Sequence, residues 1–242
     1  MQDFKKQAVK SFIQLKENPY PGRGIILGMT SDSKFIVQVY WIMGRSENSR
    51  NRIFVEEKGF VKTKAFDEKK CTDPSLIIYY PVKHIGSCHI VTNGDQTETI
   101  YEKIKGKGFF EDAMRERTFE PDRPNYTPRI SGITDLADPN SAYKLCILKT
   151  INNQEEYGQK NLYDYQKAIP GYGHCITTYQ WDGNPLPSFS TEPLLVPVED
   201  CPDKTAQMYW NALNQENKVS LLVKFIDGKT GEFKIVIKNK LY

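Results

Sequence analysis

A chain of 242 residues, 39% hydrophobic and 12% aromatic, is long enough to bury a substantial core. Its 33 basic and 30 acidic residues leave a net charge of +3, which excludes a global field that gathers nucleic acid or membrane. Five scattered cysteines without CxxC spacing argue against a disulfide framework and fit a reduced, cytoplasmic protein.

The start of the chain carries Phe4, Ala8, Phe12 and Leu15 at near-helical spacing, which predicts an amphipathic helix over Asp3–Lys16. Its interspersed charges exclude a signal peptide or a membrane span. "NPYPGRG" (Asn18–Gly24) breaks the helix, since its prolines and glycines do not continue one. Strand-like runs follow at Ile25–Met29, Lys34–Met43, Arg52–Phe66, Leu76–Lys83 and Ser87–Thr92. Asn93-Gly94 makes a turn, and Asp95 with Glu98 three residues later reads as a capping box before Ile100, Tyr101 and Ile104. A further helical segment lies around Phe109–Arg117. Strand-like runs return at Arg129–Thr134, Ala142–Ile151 and Tyr172–Gln180, and Trp181–Phe189 is a loop. Asp200 and Pro202 open a helix bearing Ala206, Tyr209, Trp210 and Leu213 on one side. Strands Val219–Asp227 and Phe233–Lys238 close the chain around the "DGKTG" hairpin signal. Strands in blocks, separated by helices in blocks, argue for an α+β protein of two packed sheets with helices outside both. No linker divides the chain, so residues 1–242 read as one domain, with residues 1–18 as an N-terminal helix packed on it.

Several chemistries are missing. Neither GxGxxG after a strand nor GxxxxGK[ST] occurs, and there is no HExxH, paired-cysteine zinc spacing or GxSxG elbow. His84, His89 and His174 form no ligand set by spacing. Cys88 and His89 are neighbours on a strand and point to opposite faces, which argues against a thiolate–imidazole pair.

What is present is local. "YWIMGRSENSRNRIF" (Tyr40–Phe54) carries Arg45, Arg50 and Arg52, whose planar forks suit a phosphate; a solvated hairpin tip with an arginine on Glu47 is the competing reading. Arg23 either joins them or caps its loop. "FEPDRPNYTPRIS" (Phe119–Ser131) gathers Glu120, Asp122, Arg123, Asn125, Tyr126, Thr127 and Arg129 around three prolines that stiffen the backbone, and a rigid turn would look the same. In "IIYYPVK", Tyr79 and Tyr80 face opposite ways, so one is core or pocket and the other is not. "TNGDQTE" (Thr92–Glu98) sets a helix N-terminus beside these groups.

In this order the segments "NPYPGRGIILGM", "QVYWIMGRSENSRNRIF", "IVTNGDQTETIYEKI", "YTPRISG" and "PGYGHCITTYQWDGNPLPSF" resemble the archaeal-type IMP cyclohydrolases, and most closely their bacterial relatives. The resemblance implies a four-layer αββα sandwich like that of the N-terminal-nucleophile hydrolases. With Met1 opening an ordinary helix, no N-terminal nucleophile is expected. It implies closure of 5-formamidoimidazole-4-carboxamide ribonucleotide to inosine monophosphate with loss of water, the last step of purine synthesis, with no metal and no cofactor. By the same resemblance, the catalytic residues fall on Arg50, Tyr79 and Glu120, with Tyr80 and Asp122 as rivals to the last two. Arg45, Arg23, Asn93, Asp122, Tyr126, Thr127 and Arg129 are the substrate-binding candidates. The implied partner is a purine ribonucleotide, with neither nucleic acid nor membrane, and the family's tendency to assemble implies a homo-oligomer. The N-terminal helix and Asn152–Ile169 depart from the archaeal pattern. The alternatives are an amide hydrolase of the same fold class, using Thr30 or Cys88 after processing, and a nucleotide-binding protein without catalysis.

Overall fold

The computed structural model describes residues 2–71 and 77–241. In chain order the elements are α1 (Gln2–Glu17), β1 (Gly24–Met29), β2 (Phe35–Met43), the one-turn α2 (Glu47–Arg50), β3 (Arg52–Glu57), β4 (Phe60–Ala65), β5 (Val82–Ile85) and β6 (Cys88–Thr92). They continue with α3 (Gln96–Lys105), α4 (Phe110–Arg115), β7 (Arg129–Asp135), β8 (Tyr143–Ile151), β9 (Gln154–Tyr165), β10 (Tyr172–Thr177), β11 (Leu194–Pro197), α5 (Pro202–Ala212), β12 (Lys218–Asp227) and β13 (Phe233–Asn239). They build two antiparallel sheets, one ordered β11-β10-β1-β2-β12-β13 and the other β3-β4-β5-β6-β7-β8-β9.

Alternation along the strands decides the layers. On β1 and β2, Ile25, Leu27, Tyr40 and Ile42 face the second sheet and meet Phe54, Val61, Val82, Val91 and Ile130 in a shared core. Their neighbours Ile26, Val39 and Trp41 face outward onto Leu15 of α1 and Ala206 and Tyr209 of α5. The other sheet does the same with Ile90, Ile133, Cys146 and Leu148, covered by Ile100 of α3 and Phe110, Ala113 and Met114 of α4. Helices therefore lie outside both sheets, as the block order implied. Among the described residues, no helix is long and apolar enough to cross a membrane.

Four expectations change. The run Arg52–Phe66 is a hairpin, β3 and β4, because Lys58 and Gly59 both take positive φ (54° and 82°) and turn the chain. The run around "IIYYPVK" is strand only from Val82; Leu76 lies outside the described residues, and Tyr79 and Tyr80 sit in an irregular approach to it. The stretch beyond Ile151 carries β9, which returns along β8 after a turn at Asn152-Asn153, both with positive φ. The capping box does not form: the Asp95 side chain caps no N–H of α3 and instead pairs with Arg117 and Arg129, while Glu98 pairs with Lys83 at 2.7 Å.

Candidate active site

Tyr40 starts the site from the middle of β2, where its inward parity buries it completely. Its hydroxyl meets that of Tyr79 at 2.7 Å. The backbone locks Tyr79 in place: its N–H donates to Thr63 Oγ1 at 2.8 Å, and its carbonyl accepts from the Thr63 N–H at 2.9 Å. Tyr80 faces the other way, against Phe60 and the Lys83 ammonium, so of the two tyrosines the structure brings Tyr79 to Tyr40.

Two arginines join the tyrosines. Arg52, the first residue of β3, is fully buried; its Nε donates to the Ser49 carbonyl at 2.8 Å and its Nη1 has no partner. Burial first, and then the neighbouring Arg23, hold its pKa below the usual value. Arg23 arrives from a tight passage at Gly22, where φ is +72° and an added Cβ would lie 2.2 Å from Thr178 Oγ1. Its backbone is pinned to Thr178 in both directions, and its Nε is buried without a partner. Burial alone would lower the Arg23 pKa, but Glu120, Tyr79, Tyr179 and Tyr40 outweigh it and hold the pKa well above the ordinary value.

Glu120 brings a carboxyl to the cluster. It is 2% exposed, and its carboxyl finds neither a hydrogen bond nor an ion pair among the described residues. Burial pushes its pKa up to about 6, against the pull of Arg23 and Arg129. The surrounding loop is rigid: Glu120 N–H donates to the Thr127 carbonyl at 2.9 Å, and the buried Asn93 side chain clamps Pro128 and Ile130. Arg129 is held by Asp95 at 2.5 Å and by Gln96 at 2.9 Å. Gly94 leaves the room this needs, since a Cβ there would lie 2.6 Å from Arg129 Nη1 and 3.6 Å from Glu120 Oε1.

The other expected residues divide. Asp122 holds both the N–H (2.6 Å) and the hydroxyl of Thr127, whose oxygen also meets the Tyr179 hydroxyl at 2.6 Å. Tyr179 stacks on Tyr20, and Arg45 lies over Tyr20 while pairing with Asp182 at 2.8 Å, so Arg45 stands at an exposed rim. Asn93, Asp122, Thr127 and Arg129 thus brace the cluster. Arg50 is not part of it: it is exposed, bonded to the Gly44 carbonyl and Asn217, and lines a separate cleft with Phe66 and Lys70. Tyr126 is also elsewhere, its hydroxyl between Arg123 and Glu155 and its ring against Phe119. The members given no catalytic or substrate-binding role by the resemblance are Tyr40, Arg52 and Tyr179, although Arg52 stood among the three arginines whose forks suit a phosphate. Inward parity on β2 and β3 was the signal for the first two.

The cluster offers two positively charged forks with unpartnered N–H groups, a linked pair of phenols and an acid poised near neutrality. That set can seat an oxygen-rich anion, polarise a carbonyl and shuttle a proton. Among the described residues, no group of three or more His, Cys, Asp or Glu is arranged to hold a metal ion. No curated protein matches the chain. A family model described as IMP cyclohydrolase-like protein matches residues 20–230, a span that takes in every member of the cluster and leaves out α1, and the chain belongs to that family.

Proposed function

We propose that the chain is an IMP cyclohydrolase, closing the ring of 5-formamidoimidazole-4-carboxamide ribonucleotide. The observation that carries this is Glu120, 2% exposed and with no hydrogen bond to its carboxyl among the described residues, beside two arginines, Arg23 and Arg52, that each keep a buried N–H without a partner. Such groups are costly to leave unmatched, and a substrate rich in carbonyl oxygens and phosphate matches them.

In the reaction, the carboxamide nitrogen attacks the formyl carbon and gives up a proton. The former formyl oxygen gains negative charge, is protonated, and departs as water with a second proton. Holding both side groups in one plane lowers the barrier through orientation. Arg52 takes the role that the resemblance assigned to Arg50, because it faces the interior and Arg50 does not. It stabilises the oxygen that gains charge, with Arg23 beside it. Tyr79, its hydroxyl held by Tyr40, donates to that oxygen, and Glu120 exchanges the proton between nitrogen and leaving hydroxyl. Arg45, above Tyr20 at the rim, guides the phosphate. The layering of helices outside two packed sheets supports kinship with the N-terminal-nucleophile hydrolases, and the continuous core between the sheets supports a single domain.

An amide hydrolase working through Cys88 or Thr30 has no comparable support. Burial and Asp135 push the Cys88 thiol up to about 11, and the Thr30 hydroxyl is committed to Asp32 at 2.6 Å. The test is to incubate pure protein with the formamido substrate and follow purine absorbance, alongside Arg52→Lys and Arg50→Ala. Arg52→Lys is expected to lose about 100-fold or more in kcat/KM, the cost of a planar fork in a buried site, with Arg50→Ala near wild type. Equal loss in both, or no turnover by the native protein, overturns the reading.

A further inference from the structure

A second polar nest lies in the same gap between the sheets, further along β2 from Tyr40. Gln38 is two residues before Tyr40 on β2 and directly across from Lys224 on β12. From the facing sheet come His89 on β6, opposite His84 of β5, and Thr134 of β7. Gln38, His89, Thr134 and Lys224 are all buried, at 0–1% exposure, and His84 is partly exposed. Fully buried Leu222, paired with Tyr40, and Val91, paired with Val82, each stand two residues from the nest members Lys224 and His89 on their own strands.

The nest is unsatisfied. Among the described residues, thirteen buried side-chain polar atoms lack a hydrogen-bond partner, and six of them are here: Gln38 Oε1, His84 Nδ1, both ring nitrogens of His89, Thr134 Oγ1 and Lys224 Nζ. Gln38 spends its amide on the His89 carbonyl at 3.1 Å, which ties the two sheets together. Lys224 Nζ rests 3.9 Å from the centroid of Phe233, whose ring also meets His84 at 4.9 Å and His89 at 5.8 Å. Among the described residues, no carboxylate pairs with the Lys224 amine. Asp135 acts on His89 only from a distance, with its oxygen taken by the Ser87 hydroxyl at 2.6 Å and the Ala137 N–H at 3.0 Å.

Donors outnumber acceptors in the nest. Charged Lys224 brings three, His89 one and Thr134 one, against the oxygens of Gln38 and Thr134, one nitrogen of His89 and, in one tautomer, His84 Nδ1. Burial lowers the Lys224 pKa to about 7, and a counter-anion there favours the charged form. Buried basic groups without a counter-charge are unfavourable, and native interiors rarely leave so many polar atoms unmatched at one place. We propose that Lys224, His89, Thr134 and Gln38 form a second ligand site, distinct from the arginine cluster, that takes a small oxyanion, a carboxylate or a phosphate, between the two sheets. An oxyanion reaches Lys224 on one sheet and His89 and Thr134 on the other, which a single-atom anion does not. A cleft of about 420 Å³ is lined by Thr134 of the nest and by Ile36, two residues before Gln38 on β2, while Gln38, His89 and Lys224 do not line it. Its rim mixes two lysines with three aspartates, so the interior rather than the mouth sets the sign of the ligand.

The experiment compares native protein with Lys224→Met, measuring Tm at pH 7 and fixed ionic strength in rising sodium formate, sodium phosphate or sodium chloride. The Arg52→Lys protein is run beside them to perturb binding at the arginine cluster without changing its charge. Expected is a saturable rise of about 5 °C with formate or phosphate that survives Arg52→Lys and is lost in Lys224→Met, the size a ligand near 100-fold its Kd gives a chain of this length. Formate alone would identify a carboxylate site and phosphate alone a phosphate site. An equal rise in Lys224→Met, a rise with chloride as large as with either oxyanion, or no rise at all overturns the proposal. Should Lys224→Met not fold, carbon-detected titration of the lysine Cε resonances in native protein decides: the Lys224 ammonium must titrate at least one pH unit higher with oxyanion than without.

Discussion

Replacing Glu120 with glutamine should make the protein more stable and nearly inactive. The native carboxyl is 2% exposed and unpartnered, and its pKa rises from 4.5 to about 6, with burial the largest cause. The native state therefore keeps its proton to about pH 6, while the unfolded chain releases it near 4.5. Stability falls as pH rises between those values, and above them the full penalty is present. A shift of that size corresponds to about 2 kcal/mol, carried at neutral pH by a site that needs an ionisable acid. Glutamine has the shape of the neutral acid and never ionises. In thermal melts Glu120→Gln should gain about 4–8 °C at pH 8 and nothing at pH 4, a gain that scales with the pKa shift for a chain of this length. Turnover should drop by about 100-fold or more, as expected when a general acid–base group is removed. A variant no more stable than native protein at pH 8, or one whose gain persists at pH 4, would refute the argument.

Two further outcomes follow from the geometry. Tyr40→Phe removes the 2.7 Å contact that aims the Tyr79 hydroxyl; kcat should fall about 10-fold with KM little changed, and steady-state kinetics with an unchanged KM-to-kcat pattern would count against that positioning role. Burial holds His174 neutral down to about pH 4, its ring stacked at 3.8 Å on Tyr165, whereas the unfolded chain takes a proton near 6.5. The unfolded state binds more protons in that window, so stability is lost as pH falls, by about 2 kcal/mol at pH 5 from this residue. Urea midpoints at pH 7.5 and 5.0 should differ less in His174→Gln than in native protein.

The layers of this fold are legible because apolar alternation is strong on the central strands. Ile25/Leu27 against Ile26, and Tyr40/Ile42 against Val39/Trp41, spell out two buried faces, and only a sheet covered on both sides wants both. Strand β9 is hidden for the opposite reason. It lies at a sheet edge, nearly all its side chains are exposed, and Gln154–Tyr165 reads as a polar stretch with no period for a core to impose. Its start was visible all the same, in Asn152-Asn153, a pair of residues that tolerate the positive φ both adopt. The capping box misleads because Asp95 has stronger partners: two guanidinium groups outbid the N–H groups of α3 for one carboxylate.

The arginine loop shows how a local rule can decide a site. Reading "RSENSRNR" as one extended strand would put Arg50 and Arg52 on the same face, and resemblance then favours the first. Ser46 instead caps a single helical turn by accepting from the Ser49 N–H, and the turn ends at Arg50, which it swings out toward Gly44 and Asn217. Asn51 then ties its side chain to the backbone of Asp67 in both directions, so the strand must begin at the next residue. From there parity is set by the core: Phe54 packs between the sheets, and two residues back on the same face is Arg52. The inward arginine is thus selected by the register of a phenylalanine, and the cationic seat is the polar end of a hydrophobic face. The same logic on β2 runs from Ile42 through Tyr40 to Gln38, which is why the arginine–tyrosine cluster and the second polar nest share one inter-sheet gap.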